Sequence, residues 1–212
     1  MEIALYLIKL GWIINLVRYM LDVHDITMEH SHVVLRPPIS DDLNGLCSAA
    51  ADGEIWKNPF TSFPSIEEMS IYLQNMIKHD NTSLPFIIVD KQLKNIVGTT
   101  RFFNIDHQNY RLEIGHTWIA KSYRRSPVNT EAKLLMLQYA FEKLNCIAVE
   151  IRTDVLNQVS RKAIERIGGK QDGILRNHKI MRNGRVRDTA CYSIIREEWP
   201  TVKKNLSDKL RS

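Results

Sequence analysis

"LEIGHTWIAKSYRRSPVNTEAKLLMLQYAF", Leu112 to Phe141, passes from a strand-like alternation to a helix-like repeat through a junction that gathers two arginines, a serine and a proline. Upstream, "RLEIGHTWIA" alternates, setting Glu113 opposite Leu112 and Ile114 and beside Gly115, where a ligand could come close. Downstream, "NTEAKLLMLQYAFEKLN" spaces Leu134, Leu137, Phe141 and Leu144 by three and four, the stripe of a buried helix. A helix that begins directly after a strand leaves backbone N–H groups unpaired at its first turn and adds a partial positive charge there. Arg124 and Arg125 bring fixed charge to that mouth, so the junction reads either as an anion site or as an ordinary capped helix with solvated arginines. Pro127 suits the first helical position with Ser126 as cap, while Asn129 and Thr130 would cap a later start.

Working outward, the pattern predicts mixed α and β structure. "HVVLRPP" is a short strand closed by Pro37 and Pro38, and Ser40 with Asp41 reads as the cap of a helix over "ISDDLNGLCSAAADGEIW". "IEEMSIYLQNMIKH" is a second helix with Ile66, Met69, Leu73 and Met76 or Ile77 on one stripe. "PFIIVD" and "NIVGTTRFF" are strands separated by a turn at "KQLK". After the central helix come a strand "AVEIRTD", a helix "NQVSRKAIERIGG" ended by Gly168 and Gly169, and a hairpin turning at Asn183 and Gly184. Adjacent antiparallel strands come first, and one strand–helix–strand crossover lies in the middle.

The chain of 212 residues is long enough for one full domain, and 29 basic against 24 acidic residues give a net charge of +5. That mild basicity, mixed along the chain, suits an anionic small ligand or acidic partner and is weak evidence for nucleic acid; no DNA partner is expected. Cys47, Cys146 and Cys191 are odd in number and lie in or beside apolar runs, which predicts reduced cysteines in a cytoplasmic protein, with no disulfide framework and no metal site. Residues 1–27 differ from the rest: apolar over Ile3 to Leu21, but broken by Lys9 and Arg18 and too short for a spanning helix. They read as an amphipathic anchor or partner helix, as a helix packed on the domain, or as sequence upstream of the natural start, since Met28 immediately precedes a domain-like opening. The domain is expected over 28–206, with 207–212 a basic tail and no firm membrane partner.

Four stretches in one order, "LEIGHTWIAKSYRRSPVNTEAKLLMLQYAF", "VEIRTDVLNQVSRKAIERIGG", "DGILRNH" and "GRVRDTACYSIIREEWP", resemble the GNAT superfamily of N-acetyltransferases, in particular its RimJ/RimL-like branch of ribosomal-protein N-terminal acetyltransferases. The resemblance covers about Val33 to Leu206. It implies an α+β acyl-CoA N-acyltransferase fold, a mixed and mostly antiparallel splayed sheet flanked by helices. It also implies acetyl-CoA as co-substrate and a primary amine as acceptor, in a monomer or homodimer. The acceptor amine would be a small molecule or a protein N-terminus.

The implied roles fall on particular residues. The family's pyrophosphate pattern, Arg/Gln-x-x-Gly-x-Gly/Ala, aligns with Arg124 to Asn129, where Pro127 and Asn129 replace its glycines. The amides of Ser126, Val128, Asn129 and Thr130, helped by Arg124 and Arg125, would hold the phosphates, although Pro127 has no N–H to give. The pantetheine arm would pair with the strand edge at Thr117, Trp118 and Ile119, one of whose N–H groups would polarise the thioester carbonyl. The family tyrosine that protonates the thiolate is absent, Ile164 standing in its place. Ser160 resembles the serine used instead, and Asn157 the residue that bonds the pantetheine. The plain alternative makes Asn157 an N-cap. Glu113 is the candidate base, against a structural ion pair with Arg101 or Arg111. Trp56, Phe60 and Phe63 sit where the family places its acceptor wall, or cover a core; His116, His178 and Asp188 fall on predicted strands without assigned roles. Two other readings stand beside catalysis: a non-catalytic GNAT-like domain binding CoA or an acidic partner, and a basic RNA- or ribosome-associated module.

Overall fold

The computed structural model describes residues 26–78 and 82–211, so the apolar extension, apart from Ile26 and Thr27, lies outside the described residues. Among the described residues, eight strands form one sheet: β1 (Met28–Glu29), β2 (Val33–Arg36), β3 (Ser83–Asp90), β4 (Ile96–Asp106), β5 (Arg111–Ile119), β6 (Ala148–Asp154), β7 (Lys170–Ile180) and β8 (Val186–Ile195). Their spatial order is β1-β2-β3-β4-β5-β6-β8-β7. Among these strands only β5 and β6 are parallel, and the helix between them is the crossover read from the sequence. The helices are α1 (Leu43–Ala51), α2 (Met69–Ile77), α3 (Pro127–Gln138), α4 (Gln158–Arg166) and α5 (Trp199–Arg211). The last of these runs through 207–211, the stretch set apart in the sequence as a basic tail.

Each face of the sheet has its own core. One gathers Leu112, Ile114, Phe102, Tyr192 and Ile194 beneath α3, with Leu134 and Leu137 of its stripe and Trp199, Val202 and Leu206 of α5. The other gathers Ile87, Val89 and Trp118 against Leu46 of α1 and Met69, Leu73 and Met76 of α2. Of the two alternatives on the α2 stripe, Met76 is buried and Ile77 exposed.

Two local expectations are corrected. Ser40 and Asp41 do not cap α1; Ser40–Asp42 make a 3-10 turn, and Asp42 accepts the Ile39 N–H at 2.8 Å and two bonds from the Arg36 guanidinium at 2.5 and 2.9 Å. The arginine that ends β2 thus reaches over Pro37 and Pro38 and selects the later carboxylate. The central helix also widens into a π turn at Tyr139–Lys143. That turn keeps both Phe141 and Leu144 buried and stacks Phe141 on Trp199 with centroids 5.4 Å apart.

Candidate active site

The sheet splits at its parallel pair. β5 and β6 are registered only at Arg111↔Ala148, Leu112↔Val149 and Glu113↔Glu150, after which β6 keeps its ladder with β8 and β5 its ladder with β4. A backbone edge therefore opens beyond Glu113. The Ala120 N–H donates to the Val97 carbonyl at 2.8 Å, so alternation sends the Trp118 backbone toward β4 and turns Ile119, with Thr117 two residues earlier, toward the gap. Trp118 gives its indole to the second core, with Nε1 buried and unbonded.

A bulge sets that edge. Thr99 faces Trp118 while Arg101 faces Gly115, and the extra residue of β5 is accommodated with His116 at φ +49°. Thr99 Oγ1 donates to the His116 carbonyl at 3.3 Å and shares a 3.0 Å hydrogen bond with the Tyr72 hydroxyl of α2. Gly98 is required opposite, because a Cβ there would lie 2.0 Å from the Trp118 carbonyl oxygen. Behind the bulge, Lys133 of α3 is buried and donates to Thr117 Oγ1 at 2.7 Å and Thr100 Oγ1 at 3.4 Å. Burial pushes its amine down to about 7.

At the mouth of the gap, Ser126 caps α3 with Pro127 in the first turn, which decides between the two starts left open by the sequence. The Ser126 N–H donates to the Tyr123 carbonyl at 3.4 Å and the Val128 N–H to Ser126 Oγ at 3.3 Å, so two of the four amides expected to face an anion are already held, at long range. Ordinary helix register commits the Thr130 N–H to the Ser126 carbonyl, and the Thr130 hydroxyl accepts from Arg166 at 3.1 Å. Asn129 keeps the first-turn amide with the fewest commitments. Arg124 and Arg125 are exposed, and Arg125 adopts φ +66°, a conformation that favours glycine. Asp52, which ends α1, ties this loop down: its carboxylate accepts the Ser122 N–H at 2.9 Å and the Ser122 hydroxyl at 2.5 Å. Those bonds, with Arg124 and Lys121 nearby, hold the Asp52 carboxyl below its ordinary range.

Register places a charged surface on the side of the gap away from α3. Arg101 of β4, Arg111 and Glu113 of β5, Glu150, Arg152 and Asp154 of β6, Arg187 of β8 and Lys179 of β7 share this face. Glu113 is 5% exposed, accepts from Asn104 Nδ2 at 3.0 Å and lies 3.5 Å from Arg152 Nε. Burial raises its carboxyl above the ordinary range, and Arg152 only partly offsets this. The ion pair expected with Arg101 or Arg111 is not made: Arg111 bonds Glu150 at 2.5 Å, and Arg101 lies 5.8 Å from the centroid of the Tyr72 ring. His116 packs edge-on to Phe103 at 5.0 Å, over Gly115, where a Cβ would come within 2.6 Å of the Phe103 ring. One side of the imidazole reaches solvent, yet the surrounding protein and the cations Arg101 and Lys179 lower it to about 4, so it is neutral at pH 7.

The remaining candidates separate. Asn157 is the N-cap of α4, its Oδ1 accepting the Ser160 N–H at 3.0 Å, so the plain reading of that residue holds for its oxygen. Ser160 is half-buried, and its hydroxyl has no intramolecular partner among the described residues. Trp56 and Phe63 pack on the second core. Asp188 has the opposite parity to Arg187 and accepts the Asn177 N–H at 2.7 Å, away from the charged face, whereas His178 bonds Thr189 at 3.0 Å on it. Arg152, Lys179, Arg187, Tyr72 and Lys133 were missed as site residues; alternation through "VEIRTD" was the signal available for Arg152, since Val149 and Ile151 claim the core face.

Comparison with known proteins gives the following likenesses. Residues 32–170 match the family described as the acetyltransferase (GNAT) domain. The uncharacterized N-acetyltransferase p20 of Bacillus licheniformis is 26% identical over 177 residues, 82% of this chain and 98% of its own. YdaF of Bacillus subtilis, provisionally named a ribosomal N-acetyltransferase, is 35% identical over 109 residues, 51% of this chain and 58% of its own. A solved GCN5-related N-acetyltransferase from Brucella melitensis superposes with a TM-score of 0.78 at 29% identity, covering 86% of this chain and 84% of that one.

Proposed function

The chain belongs to the GNAT acetyltransferase family, and from that membership we propose that it transfers acetyl from acetyl-CoA to a primary amine by direct attack within a ternary complex. The observation that carries this reading is the open edge of β5 just beyond Glu113, ending at the capped N-terminus of α3 beside Arg124 and Arg125. An extended thiol arm laid along that edge would accept from the Ile119 N–H, with its phosphates at the mouth of α3. The amine nitrogen then attacks the thioester carbonyl carbon, and the carbon–sulfur bond breaks. The amine's extra proton passes to Glu113, directly or through water, and the departing thiolate takes a proton from the Ser160 hydroxyl, which is reprotonated from solvent as the transfer completes. Asn157 serves through its side-chain nitrogen, because its oxygen is committed to the cap.

The ribosomal name of YdaF favours a protein N-terminus as acceptor over a free small amine. We place the reaction in the cytosol, where Cys47, Cys146 and Cys191 remain free thiols. A second reading, binding without turnover, is favoured by the engaged amides of Ser126 and Val128 and by Pro127. Calorimetric titration of acetyl-CoA, with dephospho-CoA as control, followed by a mass assay of transfer to a panel of amines, separates the two. Saturable binding with an added acetyl mass on an amine supports catalysis. Binding with no transfer to any amine supports the second reading, and no binding by folded protein removes catalysis and leaves only the acidic-partner form of the second reading.

A further inference from the structure

We propose that the acceptor of this enzyme carries an anion near its amine: an acidic amino acid, or a peptide whose first residues are acidic. This rests on the transfer reading above and adds the substrate class. Six cations lie on or over the charged face, Arg101, Arg111, Arg152, Lys179, Arg185 and Arg187, against the three carboxylates Glu113, Glu150 and Asp154 beside the gap. Asp172 of β7, opposite the far end of β8, accepts from the Ser193 hydroxyl at 2.8 Å. The carboxylates beside the gap are taken: Glu150 by Arg111 and Arg152, Glu113 by Arg152, and Asp154 by Arg185.

Three cations form no salt bridge among the described residues, although Asp154 and Glu113 both act on Arg187 from farther off. Arg101 has only the Tyr72 ring, and Lys179 and Arg187 stand directly opposite each other across β7 and β8. Like charges facing each other across two strands are unfavourable unless something neutralises them. Arg187 is half-buried, and its Nε is buried with no hydrogen-bond partner, so the guanidinium is only partly satisfied within the protein and an anion would have to be met by its terminal nitrogens. The three converge on the proposed chemistry: Arg101 and Lys179 both act on His116, and Lys179 and Arg187 both act on Glu113. An acceptor whose nitrogen lies at Glu113 and whose carboxylate lies between Lys179 and Arg187 would be neutralised at both ends. A polyamine would instead place its second cation against the unpaired ones.

The test uses the full chain with acetyl-CoA and size-matched pairs: free glutamate against glutamine, Glu-leading against Gln-leading and Lys-leading peptides, and spermidine. A carboxylate met by two cations should raise kcat/KM for the acidic member about tenfold to a hundredfold over its amide. In K179Q/R187Q that ratio should fall to near one, and R187K, which keeps the charge, should retain it. A preference confined to the peptides, or to the free amino acids, identifies the source of the carboxylate. Equal or faster transfer to spermidine, or a ratio untouched in K179Q/R187Q, overturns the proposal while leaving acetyl transfer intact. Anisotropy of labelled Glu-leading and Gln-leading peptides is measured in parallel. Tighter acidic binding without turnover would sink the transfer reading and keep the charge preference, and no difference in binding would sink the preference.

Discussion

Glu113 is the residue on which the chemistry of the reading turns, and its surroundings make its role testable. Its carboxyl is raised by burial, so the folded protein binds a proton more tightly than the unfolded chain between the ordinary carboxylate range and the raised value. Stability therefore falls as pH climbs through that window, and ionised Glu113 costs rather than contributes stability at pH 8. Glu113→Gln keeps an acceptor for Asn104, and Arg152 keeps Glu150 at 2.7 Å, so melting at pH 8 should be unchanged or higher. If Glu113 is the base, kcat should drop by about a hundredfold or more, and the acidic limb of the pH–rate profile should disappear. A variant that melts markedly lower yet keeps the limb would make Glu113 structural. Such environments were only partly legible in the sequence. Alternation put Glu113 on the right face, but its partner Arg152 is 39 positions away and adjacent only through the short parallel register. Asn157, by contrast, was readable as a cap because its partner is three residues along the same helix.

Elements defined by local pattern were the most legible. The α3 stripe, the Ser126 cap and the Asn183–Gly184 hairpin each rest on contacts within a few residues, and each forms as the spacing predicts. What escaped was tertiary in origin: the Ser40–Asp42 turn that Asp42 closes by accepting the Ile39 N–H and the Arg36 guanidinium, and the π turn that serves Trp199. The α3 mouth carries the departure from the family pattern that matters most for binding. With Pro127 offering no N–H and two amides engaged, more of the phosphate affinity must come from side-chain charge than in a glycine-rich loop. Arg124→Ala should accordingly weaken acetyl-CoA by about tenfold in calorimetry, with a shallower dependence on salt, because an exposed cation acts largely through screened attraction. An unchanged Kd would show that the backbone at Asn129 suffices and that Arg124 is merely solvated. Asp52 belongs to the same element logic, since it anchors Lys121 and Ser122 from the end of α1 and so ties the loop to the helix layer on the other face of the sheet.

At the scale of the molecule, the two cores meet at the β5 bulge, and Lys133 lies buried on the α3 side of that junction. "TEAKLLML" gives no hint of this, because a lysine in the first turns of an amphipathic helix is ordinarily solvated; only the approach of Thr100 and Thr117 encloses it. Among the described residues no carboxylate neutralises it, since its bonds go to the Thr100 and Thr117 hydroxyls. Its amine falls from 10.5 to about 7 through burial, so below pH 7 the folded protein bears the full cost of an enclosed charge. Between about 7 and 10.5 the unfolded chain binds more protons than the folded one, and stability must rise with pH across that interval. Lys133→Met fills much the same volume without the charge, and Thr100 and Thr117 can still bond each other at 2.8 Å. Denaturant unfolding at a series of pH values should find Lys133→Met more stable than the parent at pH 6, by a few kcal/mol at most, with the two curves converging toward pH 10. If Lys133→Met is instead weaker at every pH by a constant amount, the hydroxyl bonds outweigh the desolvation. Lys133 would then fasten the bulge edge that is proposed to receive the thiol arm.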